Sequence, residues 1–357
     1  MKAQPIADLY SDYLLASFGA TTATGLSALL EGEVSHDQVT RYLAGAKKTA
    51  SDLWRTVKAF VREIQSEAGV LIIDDSIEEK PYTDENDIVC WHYDHSKERS
   101  LKGINFLTAL YRSQEGNVPV GFHLVAKTEK YTDPKTQKEK RRSPVSKNEV
   151  CQDLIKQAVT NRIPFRFVLF DVWFASADTM RFLKQTQQRD FLCPLKANRK
   201  VALSQADKQQ GRYVRVDTLE LEAQVMREIY LEGVDFPLIL LKQVFTNEDG
   251  SLGIRYLVSS DTTLSFAALT TTYPERWEVE CYHKSLKQNV SLAKSPTHTV
   301  TTQTNHFFAA LCGFLKLERL KRKTTLNHFA LKAKLYLNAL RSAFSTLRTF
   351  SPVQGSA

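Results

Sequence analysis

The spacing of apolar and polar positions divides the chain into stretches of different period. Residues 1 to about 67 repeat at helical spacing and show none of the alternation a strand requires. Within them, Gly25 to Gly45 reads as two short helices about a turn. Gly32 ends the first, and Ser35-His36-Asp37-Gln38 forms an S-x-x-Q capping box that opens the second. Val39 and Leu43 then point inward while Gln38, Thr40 and Arg41 point out. That is the shape of a helix-turn-helix with a reading helix, and equally of a well-capped pair in a plain bundle.

From Val70 the texture changes. Val70-Leu71-Ile72-Ile73 is an apolar run ending in Asp74 and Asp75, a buried strand that delivers acids at its C-terminal end. Residues 104–113 and 118–127 follow as two more strands, joined by Gln114-Glu115-Gly116-Asn117. A basic loop, Lys135 to Arg142, precedes a helix from about Ser146 to Thr160. Phe165 to Asp171 is another buried strand ending in a carboxylate; residues 175–187 are a helix and 189–197 a fifth strand. This order predicts an α/β fold of the RNase H-like kind, a mixed sheet flanked by helices. Residues 198–261 alternate in strand fashion, and beyond Asp261 the pattern is helical. The expected segments are therefore a helical N-terminal DNA-binding domain (1–67), a first part of the catalytic core (68–197), a β-rich insertion (198–261), a second part of the core (262–300) and a basic helical C-terminal region (301–357).

Composition narrows the partners. The 357 residues, 43% hydrophobic and 25% charged, suit a soluble globular protein. No apolar run approaches the ~20 residues that span a bilayer, and Asp8 and Asp12 interrupt any secretory h-region, so a cytoplasmic protein is expected. Cys90, Cys151, Cys193, Cys281 and Cys312 are scattered without a C-x-x-C pair, which argues against a disulfide framework or a thiolate zinc site. The net charge of +8 is concentrated near the end of the chain. From Thr301 onward Lys316, Arg319, Lys321, Arg322, Lys323, Lys332, Lys334, Arg341 and Arg348 face only Glu318. This region is either a phosphate-binding surface or a solvated lysine-rich face. Phe307, Phe308, Leu311, Phe314 and Leu317 recur there at helical spacing, serving core or interface.

The candidate chemistry lies in the acids. A single strand-end Asp usually caps the following turn; two at the ends of buried strands call for cations or donors if a third acid joins them. Glu280 is that third acid. Pro274 and Glu275 suit a first helical turn, and Tyr273, Arg276, Glu280, Lys284 and Lys287 line one face, apart from the apolar stripe Val279, Tyr282, Leu286. Arg276–Glu280 and Glu280–Lys284 also read as ordinary i,i+4 pairs.

Tyr273-x2-Arg276-x3-Glu280-x6-Lys287 resembles the YREK signature of bacterial insertion-sequence DDE transposases of the cut-and-paste group. Asp74-Asp75-Ser76 resembles the group's D-x-T/S motif, which favours Asp74 over Asp75, with Ser where the group usually has Thr. Phe170-Asp171-Val172-Trp173-Phe174 resembles its second motif. The resemblance implies an RNase H-like core whose Asp74, Asp171 and Glu280 hold two Mg²⁺ or Mn²⁺ ions, with Asp74 bridging both. It implies a reaction on double-stranded DNA, hydrolysis at the transposon end and strand transfer into a target, by a homodimer on DNA. Tyr273, Arg276, Lys284 and Lys287 are then DNA-binding residues. An aromatic that stacks on a flipped base is also implied; Trp173 and Trp277 are nearby, although a core role is the first expectation for each. A nuclease without strand transfer and a non-catalytic DNA-binding derivative are the rival readings. Trp91-His92-Tyr93-Asp94-His95 reads as a loop or packed turn before it reads as a metal site.

Overall fold

In the computed structural model, residues 4–94, 97–134 and 136–350 are described. His95 and Lys135, named above, lie outside them. The chain forms two compact units, one of Met1–Lys48, Glu78–Asn86 and Tyr282–Ala357, the other of Thr49–Ile77 and Asp87–Cys281.

The second unit is built on a mixed sheet flanked by helices, consistent with an RNase H-like fold. Its strands, in chain order, are β1 (Val70–Glu79, the last two residues falling in the other unit), β2 (Val89–Asp94), β3 (Arg99–Ser113), β4 (Gly116–Leu124), β5 (Glu129–Thr132), β6 (Glu139–Arg142), β7 (Phe167–Phe170), β8 (Asp190–Leu195), β9 (Lys200–Ala202), β10 (Val214–Arg215), β11 (Met226–Leu231), β12 (Leu238–Thr246) and β13 (Leu252–Ser259). Across the sheet they run β10-β9-β11-β12-β13-β8-β7-β1-β3-β2, with β4 also on β3; β5 and β6 form a separate hairpin. β1, β7 and β8 are parallel neighbours, and the other recorded pairings are antiparallel. Where these three strands pair, Val70–Ile73, Phe167–Phe170 and residues 191–193 are all buried and apolar, as strands covered on both faces require.

Two features depart from the pattern reading. Residues 91–94, within the stretch expected as a loop or packed turn, belong to the edge strand β2, with Cys90 and His92 buried and Trp91 and Tyr93 exposed. The strands of 198–261 continue the main sheet, because β13 pairs with β8 across some sixty residues of chain. Helices Ala50–Ile64 and Lys147–Thr160 pack against the β3–β4 end, the former burying Leu53, Val57, Phe60, Val61 and Ile64.

The first unit is helical. Helix Val300–Thr324 is its axis, packed against Ile6–Ala16, His36–Ala44 and the start of His328–Phe350. Phe307, Phe308, Leu311, Phe314 and Leu317 are all buried in this unit's core. Two of the polar side chains that go in with them are bonded: Asn305 donates to the Leu43 carbonyl at 2.9 Å and accepts from Lys48 N–H at 2.8 Å. His306 lies between the Tyr10 hydroxyl and the Leu292 carbonyl, and burial pulls its pKa down to about 4. The Ser35–Gln38 capping box is formed, Gly32 has φ +85°, and Val39 and Leu43 are buried while Gln38, Thr40 and Arg41 are exposed. Among the described residues no helix is long and apolar enough to cross a membrane.

Candidate active site

Two strands deliver the acids. Val70–Ile73 and Phe167–Phe170 run parallel in register, Ile73 opposite Phe170, and every one of these side chains is buried. One residue further on come Asp74 and Asp171; β1 continues to Glu79, so Asp74 stands within the strand and not at its C-terminal end as expected, whereas Asp171 directly follows the end of β7. Asp171 Oδ1 accepts the Val172 N–H at 2.6 Å and caps a 3-10 turn over Val172–Phe174. The capping role open to any strand-end Asp is thus occupied here by one of its oxygens.

The third acid arrives on a broken helix. Helix Phe266–Thr272 runs into a 3-10 segment, Tyr273–Trp277, which opens on Pro274, and then into helix Glu278–Asn289. Arg112 of β3 holds this junction through Glu275 at 2.9 Å and Glu278 at 3.7 Å, and Asn117 donates to Glu278 at 2.8 Å. The tight 3-10 turn aims Arg276 inward. Its guanidinium lies 3.8 Å from Asp74 Oδ2 and donates to Glu280 Oε1 at 2.7 Å, so a single cation bridges two of the three acids.

Burial raises the Asp74 carboxyl to about 7; the neighbouring charge of Asp75 pushes the same way, Arg276 opposes it, and Asp171 adds a smaller upward push. Burial also works against the Arg276 charge, but Tyr273, Asp74 and Glu280 outweigh it and hold the proton. Asp75 faces the other side of the sheet, where Asn105 donates to it at 3.0 Å and Lys147 at 2.7 Å.

Asp74, Asp171, Tyr273, Arg276 and Glu280 therefore belong to one unit. Lys284 and Lys287 lie further along the helix and belong to the other unit; Lys284 is exposed, its ammonium 5.3 Å from the Phe329 ring. Trp173 and Trp277 are 52% and 62% exposed, against the expectation of a core role. A cavity of about 610 Å³ adjoins the site, lined by Tyr273, Arg276 and Trp277 and, from the sheet, Gln243, Phe245 and Arg255. The sheet residues went unnoticed in the sequence because strand alternation marks their position and not what they face.

Among the described residues, no three His, Cys, Asp or Glu side chains converge as a metal-ligand group. His92 is buried 3.3 Å from Cys90, and burial with Lys127 and Lys147 nearby keeps it neutral, its pKa pulled down to about 3. The three acids are nonetheless the hard oxygen donors that suit a divalent cation. Asp74 is a buried carboxylate beside other acids, and positive charge next to it lowers its free energy. Arg276 supplies that charge in this arrangement.

A mixed sheet with β1, β7 and β8 parallel at its centre and helices on its flanks is consistent with the RNase H-like class of fold. The sequence profile of the DDE superfamily endonucleases matches residues 2–216, and that of the transposase DDE domain matches residues 144–314. The first spans more than half of the chain, which belongs to the DDE superfamily endonucleases. No curated protein sequence matches the chain significantly.

Proposed function

We propose that this protein is a DNA transposase of the DDE type, with Asp74, Asp171 and Glu280 as its catalytic acids. The observation that carries the reading is that Asp74 and Asp171 directly follow the last paired residues of β1 and β7, Ile73 and Phe170, with Glu280 tied to Asp74 through Arg276. The three carboxylates would hold two Mg²⁺ or Mn²⁺ ions. Bound there, divalent cations supply activation of the attacking hydroxyl and neutralise the departing oxygen. Arg276, freed from Glu280, donates to the phosphate next to the cut, and the Tyr273 hydroxyl is a second donor to it. Lys284 and Lys287 extend the same helix as phosphate contacts. The 610 Å³ cavity, with the exposed Trp277 on its rim, offers room and a stacking surface for a base displaced near the cut.

The N-terminal segment 1–67, with its capped helix His36–Ala44, is the candidate for recognising transposon ends, and the protein acts as a nucleoid-associated homodimer. The exposed stripe Leu337, Leu340, Phe344 and Leu347 on helix His328–Phe350 supports self-association, since apolar residues at that spacing seek a partner helix.

A labelled transposon end incubated with plasmid and Mg²⁺ is the test. Joined product is expected; cleavage without joining identifies a nuclease. Unchanged cleavage by Glu280→Ala overturns the assignment of the acids.

A further inference from the structure

The residues of β2 play no part in the chemistry above. Trp91 and Tyr93 are 53% and 54% exposed on this edge strand, and His92 between them is buried. The β2–β3 register places Lys102 opposite Trp91 and Ser100 opposite Tyr93. Residues directly opposed in an antiparallel ladder share a face, so an indole, a phenol and an ammonium group stand together there.

That face is the one that carries Asp74. Asn105 of β3 donates to Asp75, which places Asn105 on the Asp75 side of the sheet. Alternation then puts Lys102 and Ile104, and with them Trp91 and Tyr93, on the Asp74 side. β3 lies between β1 and β2, so the lateral separation is about 10 Å, and the three residues from Asn105 to Lys102 add about 10 Å along the strand. The patch is a few nucleotides from the candidate site.

It also adjoins a basic arm. Lys127 donates to the Trp91 carbonyl at 2.5 Å, and Arg141 lies 4.0 Å from Asp87. The β5–β6 hairpin carries Lys130, Lys138, Lys140, Arg141 and Arg142, with Tyr131 exposed and 5.7 Å from the Arg142 guanidinium.

We propose that Trp91, Tyr93 and Lys102 form a binding site for unpaired nucleotides of the DNA strand that runs out of the active site. The inference rests on the transposase reading for the path of that strand. Aromatic rings two residues apart on a strand are about 7 Å apart, and such rings stack on bases only where the bases are unpaired. Cations beside them neutralise phosphate. A purely duplex-binding surface has no use for exposed rings, and a cationic edge is poorly matched to an apolar protein partner.

The test uses the full chain in EDTA, where binding is separated from cleavage. Fluorescence anisotropy compares a blunt duplex with the same duplex bearing a short single-stranded extension. The wild type should bind the extended duplex more tightly. Trp91→Ala and Tyr93→Ala should each lose roughly tenfold affinity for it and leave the blunt duplex unchanged. Trp91→Phe should restore most of the loss, and Tyr82→Ala, at a residue 97% exposed in the other unit, should lose nothing. A 2-aminopurine base in the extension should be quenched by the wild type and not by Trp91→Ala. Equal losses on both DNAs, or no preference for the extension in the wild type, overturn the proposal. Binding of the blunt duplex without that preference overturns it alone; a wild type that binds neither DNA overturns it together with the transposase reading.

Discussion

The two faces of β1 hold neighbouring carboxylates in opposite circumstances. Asp75 accepts from Lys147 and Asn105 at hydrogen-bond distance on the side covered by helix Lys147–Thr160. Asp74, one peptide away, is buried beside other acids and has a guanidinium at 3.8 Å that it shares with Glu280. The backbone is the same, so the difference comes from what each face meets. One carboxylate is settled into structure. The other keeps unspent demand for positive charge, the property a cation-binding catalytic acid requires.

The largest expected effect breaks this comparison directly. Asp74→Asn should lower Mg²⁺-dependent cleavage of a labelled DNA end by roughly three orders of magnitude or more. Asp75→Asn should change it by less than about tenfold. A single-turnover assay decides, and equal losses at the two positions would erase the distinction between the faces.

Arg276 gives the next effect. As the resident cation between Asp74 and Glu280 it competes with any metal for the same carboxylates. Arg276→Gln should tighten Mn²⁺ binding about tenfold in calorimetry, since like charges repel strongly in a buried site. Cleavage should fall roughly a hundredfold, because the phosphate loses a charge-assisted donor. Weaker Mn²⁺ binding by this variant would show that Arg276 organises the acids instead of standing in for the ion.

The third effect is on stability. Asp74 titrates near 7 in the fold against an ordinary 3.8. Between those values the folded chain holds a proton that the unfolded chain has released. Its contribution is therefore complete at low pH and is lost as pH rises through about 7. The melting temperature should fall by roughly a few degrees between about pH 5 and pH 8 relative to Asp74→Asn, which has no proton to lose. A wild type and variant that track each other across that range would remove Asp74 from the account.

Much of the local structure around the candidate site is readable from residue order. The runs Val70–Ile73 and Phe167–Phe170 announce buried strands, and Asp171 follows the end of its strand as the pattern implies; that β1 continues to Glu79, leaving Asp74 within it, is not legible in the apolar run. The capping box at Ser35 is local and legible for the same reason. What the order of residues hid was set at long range. That β13 pairs with β8, which makes residues 198–261 part of the main sheet, depends on strands far apart in sequence. Arg276 is the i,i+4 partner of Glu280 that the spacing suggests, but its approach to Asp74 at 3.8 Å depends on a strand about two hundred residues earlier. The basic C-terminal region looked like free charge, but Lys316 pairs with Asp8 and Asp12, and Lys332 donates to backbone carbonyls of residues 15 and 17.

The smallest effect tests the settled face. The Lys147–Asp75 pair is close, at 2.7 Å, but the lysine side chain is 46% exposed. Solvent screens such a pair, and its net contribution is about 0–1 kcal/mol. Asn105 keeps its bond to Asp75 when the lysine is gone. Lys147→Ala should therefore lower the melting temperature by only about 1–3 °C and leave cleavage within about twofold. A much larger loss of cleavage, with the melting temperature held, would mean that Lys147 reaches DNA and that the two faces of β1 share the chemistry.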